Sequence, residues 1–323
     1  MRRLWLILVA LAALTLVAVG GNFVLGWTAD GPADRDFTLV VPQGASLPKV
    51  AALLAEKGAV KSAAAFANRA RLFGDPTGIK AGEFFIPARA SNAAIMDILT
   101  GGRAVQRLIT IPEGMPSVLV HERLMAVKEL TGTIPVPGEG SVLPDSYSYE
   151  RGQTRAAVLM RMQAAMDAAL TEEWAKRRPT TVVTSPREAL ILASIVEKET
   201  AKPSERRTVA AVYSNRIRQN MMLQADPTII YPMTRGKPLG RRIRQSEIAA
   251  VNDYNTYAMV GLPKGPIANP SRASIAAVLN PADSKALYFV ADGTGGHIFA
   301  DTLADHNRNV EAWYAIRRQR GEM

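Results

Sequence analysis

The 323-residue sequence predicts an α+β protein in three parts: an N-terminal transmembrane helix, a small α+β module and a larger mixed α+β domain. Three observations predict it. A charge-free apolar run opens the chain, a strand, helix, helix, strand pattern follows, and from Arg107 onward long helical patterns alternate with loops and short strands. Length alone argues for more than one core, because single cores usually stop growing near ~250 residues. The expected boundaries are 1–28 for a cytoplasmic N-terminus and anchor, 29–103 for a tether and the small module, and 104–323 for the large domain.

After Met1-Arg2-Arg3 the chain runs from Leu4 to Trp27 without a charge, which at roughly 1.5 Å per residue suffices to cross a bilayer core of roughly 30 Å. The run is longer than a usual signal-peptide core, and no clean small-x-small cleavage site follows it. Arg2 and Arg3 precede the span, so the N-terminus is expected in the cytoplasm and the remainder outside, with a single pass. The net charge of +10 and a pI of 9.9 predict attraction to polyanions: nucleic acid, anionic lipid or an anionic cell-wall polymer. An extracytoplasmic body argues against nucleic acid. The lack of cysteine excludes a disulfide framework and a thiolate metal site.

Residues 28–36, with Gly31-Pro32, read as a short tether. Phe37 to Pro42 reads as a strand, Gln43 to Ser46 as a turn ending in a helix cap, and Leu47 to Lys57 as an amphipathic helix. Helices over Ser62–Leu72 and Ser91–Thr100 flank a strand at Gly82–Pro87. This pattern resembles a LysM-like module, a common binder of peptidoglycan glycan; the plainer reading is a spacer. In the larger part, a strand from Arg107 leads to the turn at Pro112–Met115 and a helix from Ser117. Helices are expected over Arg155–Arg177, Ser185–Ala201 and Ser204–Gln219. Beyond them, loops should alternate with short strands such as Ala286–Val290.

Ser185-Pro186-Arg187-Glu188 has the form of a capping box with proline at the first helical position, which fixes the register of the helix that follows. At 100° per residue, Leu192, Ile195 and Val196 share a face centred on Glu199, while Glu197 points nearly the opposite way. A carboxyl on an apolar face has its pKa raised toward working pH, which suits a general acid. The competing reading is an internal salt bridge from Glu199 to Arg206 or Arg216. Glu197 reads as a solvated or structural residue.

Asn215-Arg216, Gln224-Ala225-Asp226-Pro227-Thr228, Tyr254-Asn255-Thr256-Tyr257 and Asn269-Pro270 supply the amides, hydroxyls and aromatic faces that a sugar site needs. Asp-Pro and Asn-Pro more often merely start turns, and Tyr-Asn-Thr-Tyr also suits a surface strand. His121, His297 and His306 lack metal-ligand spacing, and no Walker loop, dinucleotide fingerprint or nucleophile elbow occurs. No metal and no cofactor is expected. The basic stretch Arg235–Arg244 reads more readily as a solvated loop than as a polyanion grip.

Taken in order, Ala193 to Thr200, Val212 to Arg216, Leu223 to Thr228, Tyr254 to Tyr257, Gly261 to Pro263, Tyr288 to Gly293 and His306-Asn307 closely resemble the endolytic murein transglycosylase (MltG, YceG-like) family. The resemblance runs through most of the chain. It implies a lyase that cuts the β-1,4 bond between N-acetylmuramic acid and N-acetylglucosamine within nascent peptidoglycan, leaving a 1,6-anhydro end. It places the essential acid at Glu199. Substrate binding or support of the site then falls to Glu197, Asn215, Arg216, Gln224, Asp226, Thr228, Tyr254, Asn255, Thr256, Tyr257 and Asn269. The implied partners are glycan strands, the inner membrane through residues 4–27 and peptidoglycan synthases, with a periplasmic catalytic domain. Ala225 stands where threonine is more usual, and Ser146 likewise; neither touches the acid. A muramidase using Asp226 as a second carboxylate, and a membrane-tethered glycan-binding scaffold, are the alternatives.

Overall fold

The computed structural model describes residues 2–321; residues 1, 322 and 323, the outer ends of the expected anchor and large domain, lie outside the described residues. The chain divides into two compact units, one of residues 1–107 with 148–153 and one of residues 108–147 with 154–323.

The first unit begins with α1 (Arg2–Thr28), in which Leu8–Thr28 is long and apolar enough to cross a membrane by length and composition. Its apolar side chains point outward on all sides, Leu14, Leu16, Val17 and Leu25 among them, as in a helix whose surroundings are themselves apolar. Strand β1 (Phe37–Val41) pairs antiparallel with β2 (Gly82–Ile86), Phe37 opposite Ile86 and Val41 opposite Gly82. Alternation along β1 sends Leu39 and Val41 inward. Helices α2 (Leu47–Glu56), α3 (Ala63–Phe73) and α4 (Asn92–Gly101) bury Leu54, Phe66, Ile95 and Leu99 against Phe84 and Ile86. The Ser62 and Ser91 hydroxyls accept from the amides of Ala65 and Ala94, whereas Ser46 holds its cap position without a side-chain bond.

The segment expected to be a free tether is pinned down. Gly31 N–H donates to Arg89 O at 3.0 Å, Arg89 N–H to Ala33 O at 2.8 Å, and Ala88 N–H to the Asp36 carboxylate at 2.7 Å. A Cβ on Gly31 would meet Ala90 O at 2.3 Å, so only glycine permits this approach. The end of α1 is held too: Asn92 donates to Gly26 O, Arg69 to Phe23 O, and Trp27 packs on Phe66 and Phe73.

Strands β3 (Arg107–Thr110) and β4 (Ser146–Tyr149) form a second ribbon, with α5 (Ser117–Ala126) between them in sequence. In the second unit, α6 (Arg155–Ala175), α7 (Pro186–Glu199) and α8 (Arg206–Arg218) form the scaffold. Ser185 caps α7 as expected, but Glu188 turns its carboxylate to the amide and hydroxyl of Thr184, so the box is not reciprocal.

The chain beyond α8 departs from the expected alternation of loops and short strands. It holds α9 (Asp226–Thr234), the single turn α10 (Gln245–Ile248), α11 (Arg272–Leu279), the hairpin β5 (Tyr288–Ala291) and β6 (His297–Ala300), and the long α12 (Leu303–Gln319). Asp226-Pro227 starts a helix rather than a bare turn, because proline at an early helical position gives up no hydrogen bond there. Ser271 and Thr302 likewise cap α11 and α12. Tyr254–Tyr257 forms no strand.

Helix α7 is the centre of this unit. Ala189 and every residue from Ile191 to Val196 are buried by α6, α8, α9 and α11, so the helix has no solvent face along its middle. In the small unit, Phe84→Ala removes a fully buried ring from between sheet and helices and should cost about 3–5 kcal/mol. Urea denaturation followed by circular dichroism tests this; a loss under 1 kcal/mol would mean that Phe84 is not the packing centre that its burial indicates.

Candidate active site

Where α7 ends, its last residue, Glu199, faces a cavity of about 260 Å³. Arg216 from α8, Gln224 and Asp226 from the entry to α9, and Tyr257 line it with Glu199. Tyr213, Leu223, Phe289 of β5 and His306 of α12 complete the wall. Elements far apart in sequence therefore converge on one carboxyl group.

Oε1 of Glu199 is sealed from solvent and has no hydrogen-bond partner. Burial pushes its pKa from 4.5 up to about 7, the Tyr213 hydroxyl opposing this; the Asp226 carboxylate adds to the rise and the Arg216 guanidinium again opposes it. The end of a helix, where backbone carbonyls carry partial negative charge, further disfavours ionisation. The salt-bridge reading for Glu199 fails, because Arg206 pairs with Glu113 at 3.0 Å and Glu197 at 3.7 Å, while Arg216 bonds to neutral acceptors.

Arg216 is buried and donates to Leu287 O and Leu223 O, both at 2.7 Å, and to Met222 O and Gln224 Oε1 at 3.3 and 3.4 Å. Its guanidinium lies 5.3 Å from the Tyr288 ring centroid. Gln224 has φ +53°, the left-handed region, which costs a non-glycine residue about 1 kcal/mol or more. The bond from its N–H to Thr256 O at 3.0 Å holds it there. The Tyr257 hydroxyl donates to Asp226 Oδ1 at 2.7 Å, fixing the second carboxylate of the cavity. His306 stacks on Tyr288 at 5.1 Å with its Nδ1 buried and unpartnered; burial, then the charge of Arg216, holds its pKa below 6.5.

The other sequence candidates lie outside the cavity wall. Glu197 is not solvated: its side chain is 5% exposed, and Oε2 accepts from the amide and hydroxyl of Ser271 at 2.9 and 2.6 Å, tying α7 to α11. The Asn215 amide donates to Ser284 O and Ala286 O, setting the entry to β5. Thr228 and Thr256, both fully buried, share a 2.8 Å hydroxyl bond that locks the Gln224 loop. Asn255 donates to Ile248 O and Ala250 O, and Tyr254 packs on Tyr231 with the rings tilted at 48° and their centroids 4.9 Å apart. Asn269 accepts from Val142 N–H and donates to Met115 O. Tyr213, Phe289 and His306 were not singled out from the sequence as site residues. Tyr213 is one turn before Ile217 on an apolar helix face, so it reads as core, and the other two reach the cavity only through the hairpin and α12.

The raised pKa has a stability consequence. In the unfolded chain Glu199 ionises near 4.5; in the native protein it stays protonated to about 7, so native stability falls as pH rises between those values. The difference corresponds to roughly 3 kcal/mol at about 1.4 kcal/mol per pH unit. Glu199→Gln should therefore gain stability over wild type by up to that amount from pH 4.5 to pH 8, read by urea denaturation at both. Asp226→Asn should move the Glu199 titration midpoint down, read by carboxyl carbon NMR. A stability gap independent of pH would show that the carboxyl is not held neutral.

A model of the YceG-like family matches residues 39–312. The endolytic murein transglycosylase of Bacillus subtilis (strain 168) is 25% identical over 94% of this chain and 92% of its own length. The protein of the same name from Streptococcus pneumoniae serotype 2 is 28% identical over 93% of this chain, which spans only 63% of that longer relative. Among solved structures, a YceG-like protein from Listeria monocytogenes matches with a TM-score of 0.54 and 25% identity over 85% of this chain and 98% of that one.

Proposed function

The chain belongs to the YceG-like family, and from that premise we propose that it is a membrane-anchored lytic transglycosylase that cuts inside peptidoglycan glycan strands, with Glu199 as its acid and base. The observation that carries this reading is the Glu199 carboxyl at the end of α7, its Oε1 sealed from solvent, its pKa raised to about 7 by burial, facing a cavity walled by amide, guanidinium, carboxylate, imidazole and aromatic groups. Those wall groups suit sugar hydroxyls and ring faces.

Protonated Glu199 donates its proton to O4 of the departing N-acetylglucosamine as the bond from C1 of N-acetylmuramic acid to that oxygen breaks. The C6 hydroxyl of the same muramic acid attacks C1, and Glu199, now a carboxylate, takes the hydroxyl proton. The C1–O6 bond closes a 1,6-anhydro ring, the acid is regenerated, and no water is consumed. An intramolecular nucleophile already near C1 relieves the protein of positioning one. Arg216 favours the carboxylate formed midway, and burial favours the protonated start; a pKa near 7 lets one group serve both steps.

Asp226 favours a second reading. Two carboxylates in one cavity could instead activate water and give a muramidase. In the transglycosylase reading, Asp226 instead supplies the negative charge that keeps Glu199 protonated.

Residues 1–28 anchor the chain, with Arg2 and Arg3 in the cytoplasm and the body in the periplasm; 29–103 form a LysM-like glycan-binding module and 104–323 the catalytic domain. An anchored enzyme of this kind cuts strands as they leave the membrane, which ends their elongation and places peptidoglycan synthases nearby.

Mass spectrometry of products from uncrosslinked glycan strands tests the reading. Wild type should release anhydro-muramyl ends, one water lighter than reducing ends, and Glu199→Gln should lower the rate by about 10³-fold or more. Reducing ends would establish the muramidase; an undiminished rate in Glu199→Gln would remove Glu199 from the chemistry; no release by wild type would leave a glycan-binding scaffold.

A further inference from the structure

A second, larger cavity of about 470 Å³ lies in the same unit as the reaction cavity. The two share a wall built from consecutive residues. Glu199 lines the first and Lys198 the second; Asp226 lines the first and Pro227 the second. The end of α7 and the start of α9 thus stand between them, so the cavities are about one helix diameter, roughly 10 Å, apart.

The two linings differ in chemistry. The reaction cavity is walled by side chains that bond hydroxyls or stack on rings. The second is mostly aliphatic: Met115, Pro116, Leu119, Ile230, Leu239 and Ile267 face it. Its charged groups are Lys198, Lys237 and Glu113. Lys237 is paired with Glu122 at 2.6 Å and Glu113 with Arg206 at 3.0 Å. Lys198 is exposed and, among the described residues, has neither an ion pair nor a hydrogen bond. Its stem runs beside the Gly114 turn, with Cδ 3.5 Å and Nζ 4.0 Å from where a Cβ on Gly114 would lie. The site therefore offers apolar walls and one uncommitted cation.

Tyr231 also lines this cavity, its ring packed on Tyr254, but the lining holds no side-chain amide and so offers sugar hydroxyls fewer partners than the reaction cavity. A short peptide of small aliphatic residues with a free carboxylate fits it well, because apolar side chains bury against the aliphatic wall and an ammonium meets the carboxylate. Muramic acid carries on its lactyl group a short peptide that joins alanines to carboxylate-bearing residues, so its alanines suit the aliphatic wall and one of its carboxylates suits the ammonium. We propose that the second cavity binds the stem peptide of a muramyl residue beside the scissile bond, with Lys198 engaging a peptide carboxylate. The proposal rests on the glycan-strand reading above and adds a recognition element to it: this site would distinguish strands with stems from strands stripped of them.

The test uses binding rather than turnover, so that it stands apart from the chemistry. Full-length Glu199→Gln protein in detergent is titrated with uncrosslinked glycan strands, either bearing stem peptides or stripped of them by an amidase. The stem-bearing strands should bind about tenfold more tightly, a difference of one charge-assisted contact plus modest apolar burial. Adding Lys198→Ala or Leu239→Asp should reduce that ratio to about two or less, and Lys198→Arg should keep most of it. Equal affinity for both strands, or a ratio that survives both Lys198→Ala and Leu239→Asp, would overturn the proposal. Binding of neither strand would overturn the glycan-strand reading itself. Stem preference in binding, joined to a wild type that cleaves neither strand, would support the peptide site and sink the catalytic reading.

Discussion

One buried cation organises the reaction cavity. Arg216 joins α8 to the loop before α9 and to the entry of β5, yet among the described residues it has no carboxylate partner. Its neutral acceptors, carbonyls and one side-chain amide, engage Nε and Nη1 without cancelling its charge. The field that remains falls on the groups of the cavity wall, opposing the rise of Glu199, Tyr213 and Tyr257 and deepening the fall of His306. Had Arg216 been bidentate to Glu199, the acid would have been ionised throughout and unable to donate. Its commitment to the backbone leaves the pKa of Glu199 raised, which the proposed double role as proton donor and acceptor requires.

The same helix shows what could and could not be read in the sequence. The Ser185 cap fixed the register of α7, and the apolar positions Leu192, Ile195 and Val196 pointed to Glu199. The premise of a single inward face was too narrow, because the middle of α7 is buried on all sides by four helices. Glu197 was expected to face away into solvent or structure. It does face away, but into a second buried environment, where Ser271 and Arg206 meet it. Helical periodicity tells opposite faces apart; it carries no information about how many of them are covered.

Secondary structure in the first unit was legible almost to the residue, because its pattern is local: alternating β1, serine-capped helices and glycine stops. Past α8 the local signals were ambiguous. Asp-Pro suits both a turn and a helix start, and the α12 sequence is too polar to show a clear apolar stripe. Polar residues grouped by sequence density separated into two kinds once folded. Arg216, Gln224, Asp226 and Tyr257 reach the cavity, while Asn215, Thr228, Tyr254, Asn255, Thr256 and Asn269 hold its loops through bonds to backbone or to one another. Amides and hydroxyls serve both purposes with the same chemistry, so only the convergence of distant segments separates them. That convergence also brings in Tyr213, Phe289 and His306.

The pinned segment after α1 has a mechanical meaning. A loose linker of that length would act as a leash and let the first unit sweep a hemisphere above its root. Here Gly31, Ala33, Asp36 and Gly26 are each bonded to the body of the unit, and Trp27 is packed into it. With α1 standing in a bilayer, the unit becomes a rigid post of fixed height rather than a float on a string. Under the proposed anchoring, these bonds would set the height of the β1–β2 body above the membrane, so the anchor would double as a ruler.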